Sequence, residues 1–231
     1  MIAAEGPSGP LSGIVEPPRL VPVPAVLRDP DLVDGTDWAG VDVSGEVGGE
    51  AEVDSLDVAA SRLANLRLTG RRIDGLHMVD VLVEDCELSG VTIPAAYLRR
   101  VEFRRCRVSG LSAPNLRAHH VRFTDCRADG VSFRMSAWDT CELSEVNLRD
   151  VDFHGAKLAG VHLLGCDLSG ADFSKATTSA LALHGSTLEN LKGAANLRGV
   201  IAGDQVLTLA LRVFASMGIV VDDDYLLAEQ A

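Results

Sequence analysis

Large aromatic side chains are scarce in this sequence, which has six Phe, two Trp and two Tyr among its 231 residues. So few rings suit a narrow core filled by Leu, Val and Ala better than a wide one. Long apolar runs are lacking too, since none reaches the roughly 20 residues that span a bilayer. The N-terminus has neither the basic start nor the apolar core of a signal peptide. We therefore expect a cytoplasmic protein that does not insert into a membrane.

The sequence also lacks the short motifs that mark many catalytic and metal sites. It has no GxSxG, P-loop or HExxH pattern, and its six His fall at positions that the repeat described below turns outward. Its five Cys form no CxxC pair and have no His at zinc-ligand spacing. We expect no enzymatic activity, no metal and no cofactor. Stacking of the repeats could bring some of the cysteines near disulfide distance. We nevertheless predict that all five are buried free thiols: Cys86, Cys106, Cys126, Cys141 and Cys166.

An apolar residue instead recurs at every fifth position between Ala51 and Leu191. From Val53 to Leu188 there are 28 such positions, and 24 of them hold large apolar residues. A period of five fits neither a helix nor a flat strand, so it predicts a repeat architecture with these residues inside. Five of the six Phe lie on this register and are candidate core residues: Phe103, Phe123, Phe133, Phe153 and Phe173.

A second register, two residues earlier, carries small or medium apolar side chains such as Val91 and Ala171. Each pentad therefore has two inward and three outward residues. The pentads VDFHG at 151–155, CDLSG at 166–170 and ADFSK at 171–175 resemble the pentapeptide-repeat family, whose motif is A(D/N)LXX. The resemblance covers about 140 residues. It implies an all-β solenoid, a right-handed quadrilateral β-helix of about 7–8 coils.

A longer period of 20 residues is visible without any family knowledge. It links residues that tolerate a left-handed backbone: Gly70, Gly90, Gly110, Gly130, Asp150, Gly170 and Asn190. The simplest explanation is a coil of four pentads with one column of tight turns.

The flanking segments differ in composition from the repeats. Residues 1–35 hold seven of the nine prolines and are predicted to be an acidic, flexible or polyproline II (PPII)-like arm, with order beginning near Leu20. The β-helix is assigned to 36–191, with 36–50 as degenerate capping repeats.

The C-terminal part, 192–231, is predicted to contain a capping helix from Asp204 to about Met217. This helix is apolar over most of its circumference, so it must bury more than one face. We expect it to cap the last coil and, by resemblance to dimeric family members, to form a homodimer. The candidate cap and dimer residues are Leu207, Leu211, Val213 and Phe214.

Charge is distributed unevenly along the chain, whose formal net charge is −12. Residues 1–50 hold nine acids and two bases, whereas residues 51–190 are nearly neutral with 19 acids and 16 bases. Arginines cluster near the middle of the predicted solenoid, which we call the rod. The partner-binding candidates in this arginine belt are Arg99, Arg100, Arg104, Arg105, Arg117 and Arg122, accompanied by Arg107, Arg127 and Arg134. The alternative is that these arginines pair with acids of adjacent coils and are otherwise solvated.

Two functions are compatible with such a rod. Resemblance to the gyrase-protecting branch of the family, in the uninterrupted rod and the C-terminal tail, implies a DNA mimic that binds DNA gyrase or another type II topoisomerase and gives fluoroquinolone or antibiotic resistance. Its acidic face would contain Asp54, Asp74, Asp152 and Asp172. However, B-DNA of the predicted length, about 34 Å, carries roughly 20 negative charges, far more than the repeats do.

The second function is a non-enzymatic scaffold whose protein partner docks on the arginine belt. An acidic segment is one candidate partner, and the acidic arm could fold back over the belt as a lid. Direct nucleic-acid binding is not expected, because Tyr97 is almost the only outward aromatic residue available for base stacking.

Overall fold

The computed structural model describes residues 15–22 and 25–197, and these residues form an all-β solenoid of about eight stacked coils. The predicted all-β solenoid is therefore confirmed. The strands are β1 (Ala25–Arg28), β2 (Asp31–Leu32), β3 (Thr36–Ala39), β4 (Val41–Glu46), β5 (Gly48–Gly49), β6 (Glu52–Arg67), β7 (Arg72–Glu84), β8 (Ala95–Arg104), β9 (Arg117–Thr124), β10 (Ala137–Ser144), β11 (Lys157–Leu164) and β12 (Thr177–Ser179). A 3-10 helix, Ala194–Asn196, follows the last strand.

Parallel pairing with a fixed offset stacks one coil on the next. Val81 pairs with Val101, which pairs with Val121, and the same 20-residue step continues along the rod. The main sheet runs in the order β1-β4-β6-β7-β8-β9-β10-β11-β12, and β3 also pairs with β6. One coil is therefore four pentads, as the 20-residue period predicts.

The N-terminal end departs from this regularity. Ala25 in β1 pairs with Val41, and Asp31 in β2 pairs with Gly48, so the first offsets are shorter than 20 residues. Both strands lie inside the segment that the sequence assigns to the arm, residues 1–35. Strand pairing thus extends N-terminal of the predicted boundary at residue 36.

The core lies on the two predicted registers. Between Val53 and Leu188 every position of the first register is buried except Leu88 and Thr178, which are half-buried. The phenylalanines stack between coils, with ring centroids 4.4 Å apart for Phe103 and Phe123. The coil that contains Phe123 also has the three alanines of this register, Ala113, Ala118 and Ala128, whose small side chains offset the volume of the ring. The predicted core phenylalanines are confirmed.

The part of the core between Leu56 and Phe133 is less completely filled. An apolar cavity of about 70 Å³ lies there, lined by side chains between Leu56 and Phe133. The five cysteines are buried and free, as predicted. Burial raises the pKa of the Cys141 thiol to about 12, so this thiol is un-ionised at neutral pH.

Tight corners close each coil into four sides. Positive φ angles occur at nearly every fifth residue, and the predicted column of turns is confirmed by Gly110 at 65° and Asp150 at 54°. Three further columns contain many residues other than Gly, including Arg100 at 50° and His120 at 53°.

Two sequence-based predictions are not tested by this part of the chain. The capping helix and its residues Leu207, Leu211, Val213 and Phe214 lie outside the described residues. The right-handed winding implied by the family resemblance also stays a prediction. No helix among the residues described is long and apolar enough to cross a membrane.

Candidate interaction surface

The corners and strands at mid-rod hold most of the belt arginines in ion pairs with neighbouring coils. The Arg100 guanidinium donates from Nε and Nη2 to the two carboxylate oxygens of Asp80, 20 residues earlier, both at 2.6 Å. Arg105 binds Asp85 in the same way, at 2.8 and 2.9 Å. Because each pair links adjacent coils at the same corner, these arginines stabilise the stack.

Two other belt arginines lie beside acids on the strands. Arg104 is 2.9 Å from Glu102 and 3.6 Å from Glu84. Arg122 is 3.2 Å from Glu142 in the next coil. Thus four of the six partner-binding candidates are engaged within the rod, as the alternative interpretation of the belt predicts.

These pairs change the acidity of the carboxyl groups. The Arg100 hydrogen bonds lower the pKa of Asp80, and those of Arg105 lower the pKa of Asp85. Both shifts favour the charged carboxylate. The contribution of each pair to stability is therefore present above the ordinary Asp pKa of about 3.8 and is lost as the pH falls through the lowered value.

Arg99 and Arg117 differ from the other four, because neither has an ion pair within the part of the chain that the structure describes. Both side chains are exposed, on the outer face of the β8–β9 strand pair. The backbone pairs Arg99 with His119 and Arg117 with Tyr97, so the neighbours of both arginines in the facing strand are not acidic. We call Tyr97, Arg99, Arg117 and His119 the free-arginine face.

The aromatic groups on this face have fixed neighbours. The Tyr97 ring stacks on His77 of the preceding coil, with centroids 5.0 Å apart. His119 Nδ1 is 3.2 Å from a carboxylate oxygen of Asp139 in the following coil. The two free guanidiniums therefore lie on an ordered surface of stacked strands.

Arg127 has no ion pair among the described residues either, but it belongs to a different column. It pairs through the backbone with Arg107 and Asn147, two pentads along the coil from Arg117. The structure therefore brings Arg99 and Arg117 together and leaves Arg127 on another side of the rod.

The four acidic candidates for a DNA-like face do not form one column. Asp54 and Asp74 are 20 residues apart near the N-terminal end, whereas Asp152 and Asp172 pair as neighbours in the later coils. Asp74 is 2.6 Å from Arg72, and Asp152 is 2.8 Å from Arg134. Arginines of the rod itself thus neutralise two of the four acids of the predicted acidic face.

A simple sequence signal separates Arg99 and Arg117 from the paired candidates of the belt. Arg100 and Arg105 have an acid exactly one coil away in sequence, at 80 and 85, whereas Arg99 and Arg117 have none at either 20-residue neighbour. This signal does not reveal that Asp80 also accepts a hydrogen bond from a main-chain N–H group of the N-terminal segment. Within the described ranges, no cluster of three or more His, Cys, Asp or Glu could hold a metal ion.

Comparison with known proteins fits the coil geometry. Residues 96–173 match the family model named pentapeptide repeat region. In this region, about a third of the chain, the sequence is similar to the pentapeptide-repeat family. No curated protein matches the chain in sequence.

Two solved pentapeptide-repeat structures are similar to this protein. HetL, involved in heterocyst differentiation regulation in the cyanobacterium Nostoc sp., is 17% identical, with 78% of this chain and 90% of HetL covered and a TM-score of 0.45. Trypsin-treated QnrB1, a plasmid-mediated fluoroquinolone resistance protein, is 19% identical, with 86% and 98% covered and a TM-score of 0.40.

Proposed function

We propose that this pentapeptide-repeat protein is a non-enzymatic interaction scaffold whose partner docks an acidic segment on the free-arginine face. The observation that carries the proposal is the contrast within the arginine belt. Arg100, Arg104, Arg105 and Arg122 already pair with acids of the rod, whereas Arg99 and Arg117 are exposed and have no ion pair among the described residues.

The chemistry of the face suits carboxylates. A guanidinium presents a planar fork of donors that binds a carboxylate through two parallel hydrogen bonds. Arg99 and Arg117 stand on paired strands, so little backbone ordering is needed when a partner binds. Since the whole chain is acidic, we expect an acidic segment to be attracted only where unpaired arginines lie together, as on this face, and the attraction to weaken as salt increases.

The proposal can be tested by titrating the protein into a fluorescein-labelled polyglutamate peptide and measuring anisotropy. The double substitution Arg99→Ser with Arg117→Ser should weaken binding about tenfold, because two exposed ion pairs together contribute about 1–2 kcal/mol. Arg104→Ser with Arg105→Ser is the matched control, since it removes the same charge from arginines that are already paired. It should change the dissociation constant less than about twofold.

Equal weakening by the two double variants would show that only general positive charge attracts the peptide. Failure of the unaltered protein to bind the peptide would also contradict the proposal. Circular dichroism should confirm that both variants stay folded.

The competing function is a DNA mimic that binds gyrase, with a homodimer formed through the C-terminal tail. It is supported by the family resemblance of the tail. The charge pattern opposes it, because acids and arginines alternate between coils at mid-rod. A supercoiling assay with gyrase, with and without a fluoroquinolone, separates the two: we expect no effect at micromolar protein, and inhibition or protection would favour the DNA mimic.

A further inference from the structure

The N-terminal segment makes specific main-chain contacts with one corner of the rod. The Glu16 N–H donates to His120 Nδ1 at 3.2 Å, and the Arg19 N–H donates to Asp80 Oδ1 at 2.9 Å. Val15, at the start of the segment, is buried with 6% of its surface exposed. Asp80, Arg100 and His120 occupy the same corner in three successive coils, and we call them the acceptor corner.

The spacing of the two contacts matches a PPII helix. Asp80 and His120 are two coils apart, which at the usual strand spacing of about 4.8 Å is roughly 9.6 Å. Three residues of PPII advance about 9.3 Å, and this is the sequence separation between Glu16 and Arg19. One turn of PPII along the rod axis therefore places the two N–H groups opposite the two acceptors.

The residues between these donors are suited to that conformation. Pro17 and Pro18 have no N–H group and favour the PPII backbone. The segment Glu-Pro-Pro-Arg thus presents N–H donors only at its ends, where the corner has acceptors. No N–H group is left unpaired between them.

The acceptor corner is ordered by an ion pair within the rod. With residues 16–19 in contact, the side chains of Arg100 and Asp80 are only 8% and 14% exposed, and their two-point ion pair fixes the orientation of the carboxylate. This pair lowers the pKa of Asp80, so the carboxylate stays charged and can accept the Arg19 N–H. A buried charged pair oriented towards a main-chain donor is a built site rather than an incidental surface contact.

We propose that the acceptor corner is a binding site for a proline-rich PPII segment with main-chain donors three residues apart, which residues 16–19 of this chain occupy in cis. The site recognises two N–H groups separated by two prolines. The acceptor corner adjoins the free-arginine face, since the rings of His119 and His120 have centroids 4.2 Å apart. The two sites bind different groups, main-chain N–H donors at the corner and carboxylates at the face, so either proposal can fail without the other.

Peptide binding at this corner depends on pH through His120. Burial, and then the charge of neighbouring His119, lower the pKa of His120, while Glu16 and Asp139 act in the opposite direction and Arg100 reinforces the lowering. Only neutral imidazole accepts the Glu16 N–H. That contact is therefore complete above the ordinary His pKa of about 6.5 and is lost as the pH falls through the lowered value.

The test uses the full chain and a labelled peptide with the sequence of residues 14–20. Glu16→Pro with Arg19→Pro removes both donors from the cis segment while keeping its PPII preference, and so vacates the corner. This variant should bind the peptide at least about tenfold more tightly than the unaltered protein, in which the chain's own residues 16–19 compete for the corner. Leu20→Pro is the matched control because it adds a proline but keeps both donors, and its affinity should equal that of the unaltered protein.

A second peptide, carrying Pro at the positions of Glu16 and Arg19, should not bind the vacated corner. The proposal is overturned if the Glu16→Pro, Arg19→Pro protein binds the first peptide no better than the control does. It is equally overturned if both peptides bind alike, because recognition would then not depend on the two N–H groups.

Discussion

At the scale of single residues, the corners determine where each coil turns. A left-handed backbone costs most residues about 1–2 kcal/mol, yet Arg100 and Thr140 adopt it here at φ of 50° and 52°. At such corners the surrounding pairing with adjacent coils maintains the conformation. Gly corners avoid the cost, and the sequence predicts only one of the four columns of corners, the one from Gly70 to Asn190.

Gly110 allows the cost of a corner to be measured alone. Its φ is 65°, and an added Cβ would meet nothing within 4 Å, so Gly110→Ala introduces backbone strain without a clash. We expect Gly110→Ala to lower stability by about 1 kcal/mol, or about 3 °C in the melting temperature. Gly110→Asn is the control and should lose less, because Asn tolerates this conformation. An unchanged melting curve for Gly110→Ala would mean that the corner is not left-handed.

At the scale of elements, stacking of identical side chains between coils stabilises the C-terminal half of the rod. Phe133, Phe153 and Phe173 form a ladder with centroid separations of 5.7 and 5.4 Å. The five-residue register predicts that these rings are internal, and the 20-residue period predicts that they lie in one column. Neither period predicts the cavity of about 70 Å³, because the volume left empty depends on how unequal side chains pack in three dimensions.

The central ring of the ladder is the most informative to remove. Phe153 is 2% exposed, so Phe153→Ala should cost about 3–5 kcal/mol by leaving a cavity between two rings. Met135→Ala is the control, since Met135 is 62% exposed, and we expect less than about 0.5 kcal/mol. Urea unfolding followed by circular dichroism measures both, and equal stabilities for the two variants would place Phe153 outside the core.

At the scale of the whole molecule, the sequence predicts the repeat well and the surface only in part. Stacking identical 20-residue coils makes the neighbours of Arg105 predictable, so its pairing with Asp85 follows from the sequence once the period is known. The N-terminal segment lies outside the period. The sequence suggests that the arm could fold back over the belt, but it does not predict docking on Asp80 and His120, because no repeat relates residues 16 and 19 to the corner they contact.

The proposed function divides the belt arginines into those that pair with acids of the rod and those that are available to a partner. The division is tested most directly by nuclear magnetic resonance of the Nε–H groups in isotope-labelled arginine during titration with an acidic peptide. We predict that the Nε–H signals of Arg99 and Arg117 shift on titration, while those of Arg100 and Arg105, already bound to Asp80 and Asp85, stay in place. Shifts at Arg100 and Arg105 with none at Arg99 and Arg117 would contradict the account.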